Sequence, residues 1–120
     1  MHEMGIALQI IDIAKSSIPE NLKGSPVETV YIQVGKLSAV VPRSLSFCFD
    51  IAVKDTPLEG ATLDIKEIPV TLRCSKCKHT WTIDTPIFEC EKCHHTQIDI
   101  ISGRELDIIS IELEQNTNDS

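Results

Sequence analysis

Basic side chains are in short supply. The chain of 120 residues sets 11 Lys and Arg against 18 Asp and Glu, for a formal charge of −7. Proteins that bind nucleic acid in general neutralise phosphates with Lys and Arg, so this balance argues against such a partner. Long apolar runs are missing too. The longest apolar region, Ile6 to Ala14, is broken by Gln9 and Asp12 and is too short to cross a bilayer, so no membrane insertion is expected. The opening Met1-His2-Glu3-Met4 has an acid where a secretory signal has basic residues. The reducing cytoplasm is therefore the expected compartment. No phosphate loop and no nucleophile–base pair is legible, so an enzyme is not expected.

Cysteine, in contrast, is patterned. Four of the 5 cysteines form two pairs, Cys74-Ser75-Lys76-Cys77 and Cys90-Glu91-Lys92-Cys93, about a dozen residues apart. Each pair makes a knuckle that aims two sulfurs at one ion, and two knuckles close a tetrahedron. A closed four-thiolate site is structural, because catalytic zinc keeps a place for water. Zn²⁺ is the leading reading, although iron in a rubredoxin-like site uses the same four donors. Disulfides would leave one cysteine over and do not suit a reducing compartment. The fifth, Cys48, lies in an apolar pattern with Leu45, Phe49 and Ala52 and reads as a small buried hydrophobe.

Three histidines, His79, His94 and His95, lie beside the knuckles. Their plain role is to stay exposed or to donate hydrogen bonds to sulfur. A sharper possibility concerns His79 and His95, each two residues past its knuckle. Either could replace a thiolate when pH falls or a second metal binds. Lys76, Lys78 and Lys92 sit with Trp81 in this region, but Asp84, Glu89 and Glu91 nearly cancel their charge. That again disfavours a nucleic-acid ribbon, and Trp81 reads as a packing residue.

Hydrophobic periodicity supplies the rest of the architecture. Met4, Ala7, Leu8, Ile11, Ala14 and Ile18 recur at helical spacing and predict a helix that ends before Pro19. Val30, Ile32 and Val34 alternate with Thr29, Tyr31 and Gln33, which predicts a half-buried strand. Pro42 suits the first turn of a second helix carrying Val41, Leu45, Cys48, Phe49 and Ala52 to about Lys54. Leu63 and Ile65 mark a second strand, closed by Pro69, and Ile109, Ile111 and Leu113 mark a last one. A short strand cannot stand alone, so the last one should return to the sheet of the first two. The expected fold is α+β. Residues 1–69 with 103–120 would form a small three-stranded sheet packed with two helices, and residues 70–102 an inserted Cys₄ zinc ribbon.

The amino terminus offers a second donor set. The Met1 α-amine, the His2 backbone nitrogen and His2 Nδ1 can close a five- and a six-membered chelate ring on one ion. The backbone nitrogen must lose its proton, which suits Ni²⁺ or Cu²⁺ and not Zn²⁺. Glu3 could add its nitrogen or carboxylate. It also has a plain role, since an acid in a first helical turn favours the helix dipole.

Several short motifs occur in a fixed order: Met1-His2-Glu3; Gly35-Lys36-Leu37-Ser38 with Val41-Pro42; Glu59-Gly60-Ala61; the two cysteine pairs; and Gly103-Arg104-Glu105-Leu106. Together, over roughly Met1 to Glu114, they resemble the HypA/HybF family, the nickel-delivery proteins of hydrogenase maturation. The resemblance implies His2 as the essential nickel ligand, with the Met1 amine and Glu3 beside it. It implies structural zinc on Cys74, Cys77, Cys90 and Cys93. It further implies transported Ni²⁺, a nickel-binding maturation GTPase as co-worker, and the large subunit of a [NiFe]-hydrogenase as recipient. In some organisms the family also serves urease. Many members have Pro after the third cysteine and Gly after the second and fourth. Here those places hold Glu91, Lys78 and His94. The expectation is a nickel metallochaperone; the alternative is a zinc-ribbon interaction module that delivers no nickel.

Overall fold

The computed structural model describes residues 3–114. Its backbone forms two three-stranded sheets. Helix α1 (Glu3–Ser17) is followed by a single 3₁₀ turn, strand β1 (Val27–Gly35), helix α2 (Pro42–Ala52) and strand β2 (Thr62–Ile68). Pro42 opens α2, where its missing amide is no loss. β1 and β2 run parallel, with Ile32 opposite Ile65. Parallel neighbours need a crossover, and α2 provides it. The last strand, β6 (Leu106–Leu113), pairs antiparallel with the other side of β1. The order is thus β2-β1-β6, and the final strand does return to the sheet of the first two.

β1 is the central strand, and its alternation decides the layers. Val30, Ile32 and Val34 face the helices and are buried against α1 and α2. On the other face Tyr31 donates a hydrogen bond to Glu112 Oε1 at 3.0 Å, and Gln33 donates to Asp107 Oδ2 at 3.3 Å. The bond to Glu112 raises the Tyr31 phenol pKa above its ordinary value.

Two expectations about side chains need correction. Leu8 belongs to no buried stripe; it is 50% exposed, while Ile6 and Ile10 go inward with Ala7, Ile11 and Ala14. α1 is apolar on most of its circumference, so spacing alone could not orient it, and packing on the sheet does. Cys48 is half-buried at the edge of the core, while Leu45 and Phe49 on the same helix are fully buried.

Between β2 and β6 the chain forms the second sheet from β3 (Val70–Cys74), β4 (Thr80–Ile83) and β5 (Ile98–Ser102), with β3 central. The two sheets meet at a clasp. Gly35 N–H donates to Glu105 O at 2.7 Å, Lys36 N–H to Ile68 O at 3.0 Å and Leu37 N–H to Gly103 O at 2.8 Å. The end of β1 therefore holds both the outgoing and the returning connection of the ribbon. Among the described residues, no helix is long and apolar enough to cross a membrane.

Candidate metal centre

β3 delivers Cys74 at its last position, and the chain then turns through Cys77. The Lys78 amide donates to Cys74 O at 3.0 Å and the Cys74 amide to His79 O at 2.9 Å. The second knuckle repeats this closure. The His94 amide donates to Cys90 O at 2.9 Å, and the Cys90 amide to His95 O at 2.9 Å. Two copies of one turn thus face each other. Sulfur to sulfur, Cys74–Cys93 is 3.6 Å and Cys77–Cys90 is 3.5 Å, and all four sulfurs lie within 4.8 Å of one another.

These distances fit an ion and not a cross-link. A disulfide needs about 2.05 Å between sulfurs. A tetrahedral ion with metal–sulfur bonds of about 2.3 Å places its ligands about 3.8 Å apart. Amides aimed at sulfur add to the fit. Cys77 N–H points at Cys74 Sγ at 3.5 Å, and the Lys92 and Cys93 amides point at Cys90 Sγ at 3.4 Å each. The Cys77 amide, with that of Lys76, outweighs burial and lowers the Cys74 thiol to about 6. Burial pushes Cys90 up, but the Cys93 and Lys92 amides outweigh it and the net direction is down. At Cys93 the His95 amide favours thiolate, yet burial and the other three sulfurs prevail and push it up to about 11. Cys93 therefore resists ionising beside the other sulfurs, and a cation held among them would relieve it.

The departures from Gly at Lys78 and His94 fall where the knuckle backbone favours Gly. Both hold positive φ, 66° and 63°, where side chains other than Gly are strained by about 1–2 kcal/mol. Lys78→Gly and His94→Gly should each stabilise the metal-loaded protein by about 1 kcal/mol. Urea unfolding of the ribbon would read this, and no gain from either variant would count against strain at these turns.

Two of the three flanking histidines bind carboxylates. His79 Nε2 lies 2.7 Å from Glu91 Oε1, tying the first knuckle to the second, and the ring stacks on Trp81 at 5.4 Å between centroids. His94 Nδ1 lies 2.8 Å from Glu89 Oε2. His95 is half-buried and contributes its backbone to the second knuckle. In the sequence Glu89 and Glu91 read only as balancing charge. Which acid meets which imidazole depends on how the knuckles dock, and no local pattern encodes that.

Of the amino-terminal donors, Met1 and His2 lie outside the described residues. Glu3 is the first residue of α1, and its Oε2 accepts a hydrogen bond from the Val41 amide at 3.4 Å. No local pattern in the sequence marks Val41, just before α2, as a neighbour of this end.

An α+β unit carrying a zinc-ribbon-like sheet with a four-sulfur site is the build of a metal-binding protein. Comparison with known proteins narrows this. Residues 1–113 match the family model described as hydrogenase/urease nickel incorporation, metallochaperone, HypA. The chain belongs to the HypA family. It is 57% identical to the hydrogenase maturation factor HypA of Desulfosudis oleivorans, across 96% of this chain and 100% of that one. It is 54% identical to that of Desulfatibacillum aliphaticivorans, across 94% and 87%. The solution structure of the Ni metallochaperone HypA from Helicobacter pylori superposes with a TM-score of 0.65 at 26% identity, covering 94% of this chain and 97% of that one.

Proposed function

We propose that this chain captures Ni²⁺ at its amino terminus and delivers it to the large subunit of a [NiFe]-hydrogenase. In this reading Met1, His2 and Glu3 hold the cargo. Cys74, Cys77, Cys90 and Cys93 hold a resident structural Zn²⁺, which supplies folding energy to the ribbon. Residues 1–69 with 103–120 form the nickel-binding domain and residues 70–102 the zinc-ribbon domain. The co-worker is a nickel-binding GTPase of the same maturation route, and the setting is the cytoplasm. The protein acts as a carrier and makes or breaks no bond in a substrate.

The observation that carries the reading is the match to the nickel-incorporation family over residues 1–113, which spans the amino terminus as well as the cysteines. The chemistry of the donors agrees. An amine, a deprotonated amide and an imidazole favour a planar nickel site. Capture displaces protons, so it weakens as pH falls. Release then needs only exchange of ligands at an interface. Glu3, the residue next to His2 in sequence, is the first residue of α1, and its carboxylate accepts from the Val41 amide.

Calorimetric titration of Ni²⁺ into untagged protein tests this, because an extension before Met1 would remove the chelating amine. Wild type should bind stoichiometrically and His2→Ala should not, with zinc content equal in both. Equal nickel binding would sink the reading and favour an interaction module built on the ribbon.

A further inference from the structure

Among the described residues, no strand pairs with the outer edge of β6. Beside that edge, α1 and β6 leave a groove of about 300 Å³, lined mostly by isoleucines and Leu106, with Gln9 and Asp107 also on its wall. Ile13 is 53% exposed and Leu106 39%, although both border the apolar layer between helix and sheet. The two features are of different kinds. A bare strand edge offers main-chain donors and acceptors in strand register. The groove accepts apolar side chains on the helix side. Both are met at once by an extended segment that adds to the sheet.

Charge sets the composition of that segment. On β6, Ile108, Ile111 and Leu113 pack towards the core, while Asp107, Ser110 and Glu112 stand opposite Gln33, Tyr31 and Thr29 on the open face. An added strand must alternate in the same way. Its helix-side positions would be apolar, and its open-face positions would lie beside Asp107 and Glu112, where basic side chains are stabilising. We propose that α1 and β6 form a docking site for a partner protein's extended segment of alternating apolar and basic residues, which adds as a fourth strand. The inference stands apart from the nickel reading, although Ile6 of the groove lies one turn from Glu3 on the same helix.

Two nearer occupants lack the chemistry. A second copy whose β6 paired antiparallel with this one, Ile108 against Ile111, would set Asp107 against Glu112, and each copy carries a charge of −7. Residues 115–120 contain neither an apolar nor a basic side chain. The register of β6 also shifts between Tyr31 and Ile32, leaving Ile109 54% exposed. Such an irregularity discourages indiscriminate edge pairing, which leaves selection to the groove and the two carboxylates.

The test uses the zinc-loaded full chain, labelled with ¹⁵N, and two blocked ten-residue peptides, one alternating Val with Lys and one alternating Val with Glu. The Val–Lys peptide should shift the amides of residues 6–13 and 106–113 and slow hydrogen exchange along β6. The Val–Glu peptide should bind at least about tenfold more weakly. The double variant Asp107→Lys with Glu112→Lys should reverse that preference, with its amide spectrum showing that it remains folded. Equal binding of both peptides, shifts confined to other elements, or no shift at all would overturn the proposal. Exchange protection of β6 that grows with protein concentration and needs no peptide would also overturn it, in favour of a second copy.

Discussion

Removal of the resident metal should unfold β3–β5 and leave the helix–sheet unit standing. The reason lies in what each unit buries. The helix–sheet core includes Ile6, Ile10, Ile11, Val30, Ile32, Leu45, Phe49 and Leu58, all buried. In the ribbon the buried apolar residues are Val70, Leu72, Cys74 and Cys90, so half of them are ligand sulfurs. Val70 and Leu72 are each worth roughly 1.5–3 kcal/mol when buried, against an ordering cost of about 1.5 kcal/mol for every residue of the module. A structural Zn²⁺ contributes about 10–16 kcal/mol in small modules of this kind. Metal therefore decides whether the ribbon is folded.

Cys90→Ser should reproduce the effect genetically. Cys90 is buried, its sulfur receives two amides, and it lies 3.5 Å from Cys77 Sγ. The variant should lose stoichiometric metal and the exchange protection of β3, β4 and β5. Protection of β1, β2 and β6 should persist away from the clasp. The single Trp, Trp81, stacks on His79 within the ribbon and reports on it by fluorescence. A metal-free ribbon that keeps its amide protection would refute the argument.

The parts legible in the sequence were those with a local physical signature. β1 could be read from its alternation, and α2 from Pro42 followed by Leu45 and Phe49 at helical spacing. The tetrad could be read from cysteine spacing, since two knuckles leave few other uses for four thiols. The strands of the ribbon were not foreseen individually. β4 has only four residues, Thr80–Ile83, and its burial alternates weakly. The inward stripe of α1 is not legible, because Leu8 and Ile10 are equally apolar and only the sheet distinguishes them. The bonds from His79 to Glu91 and from Glu3 to Val41 join segments far apart in the chain. Gly35 and Gly103 stood out only as parts of a family resemblance, and their meaning is a contact that no single-strand pattern contains.

That contact makes Gly35→Ala the substitution expected to cost most outside the metal site. A Cβ on Gly35 would stand 2.0 Å from Gly103 O, 2.1 Å from Gly103 C and 2.5 Å from Arg104 N. All three are main-chain atoms, so no side chain can swing away. Gly103 cannot yield easily either. It holds φ at +121°, and Val70 packs against the place its own Cβ would take, at 2.9 Å. Making room would break the bonds from Leu37 to Gly103 and from Gly35 to Glu105. The returning connection would leave β1, and the Leu106 end of β6 would lose its pairing with Val34. We expect Gly35→Ala to destabilise the protein by more than about 4 kcal/mol, the range of severe overpacking and broken networks. Gly5→Ala is the control: an added Cβ there meets nothing within 4 Å. That change, in the first turn of α1, should stabilise by up to about 1 kcal/mol. Urea unfolding followed by far-ultraviolet dichroism for the helices and by Trp81 fluorescence for the ribbon separates the two units. Gly35→Ala should lower both midpoints, since the clasp belongs to both sheets. A variant within about 1 kcal/mol of wild type would mean that the backbone at the clasp yields, and the two sheets would then be joined only by their connections.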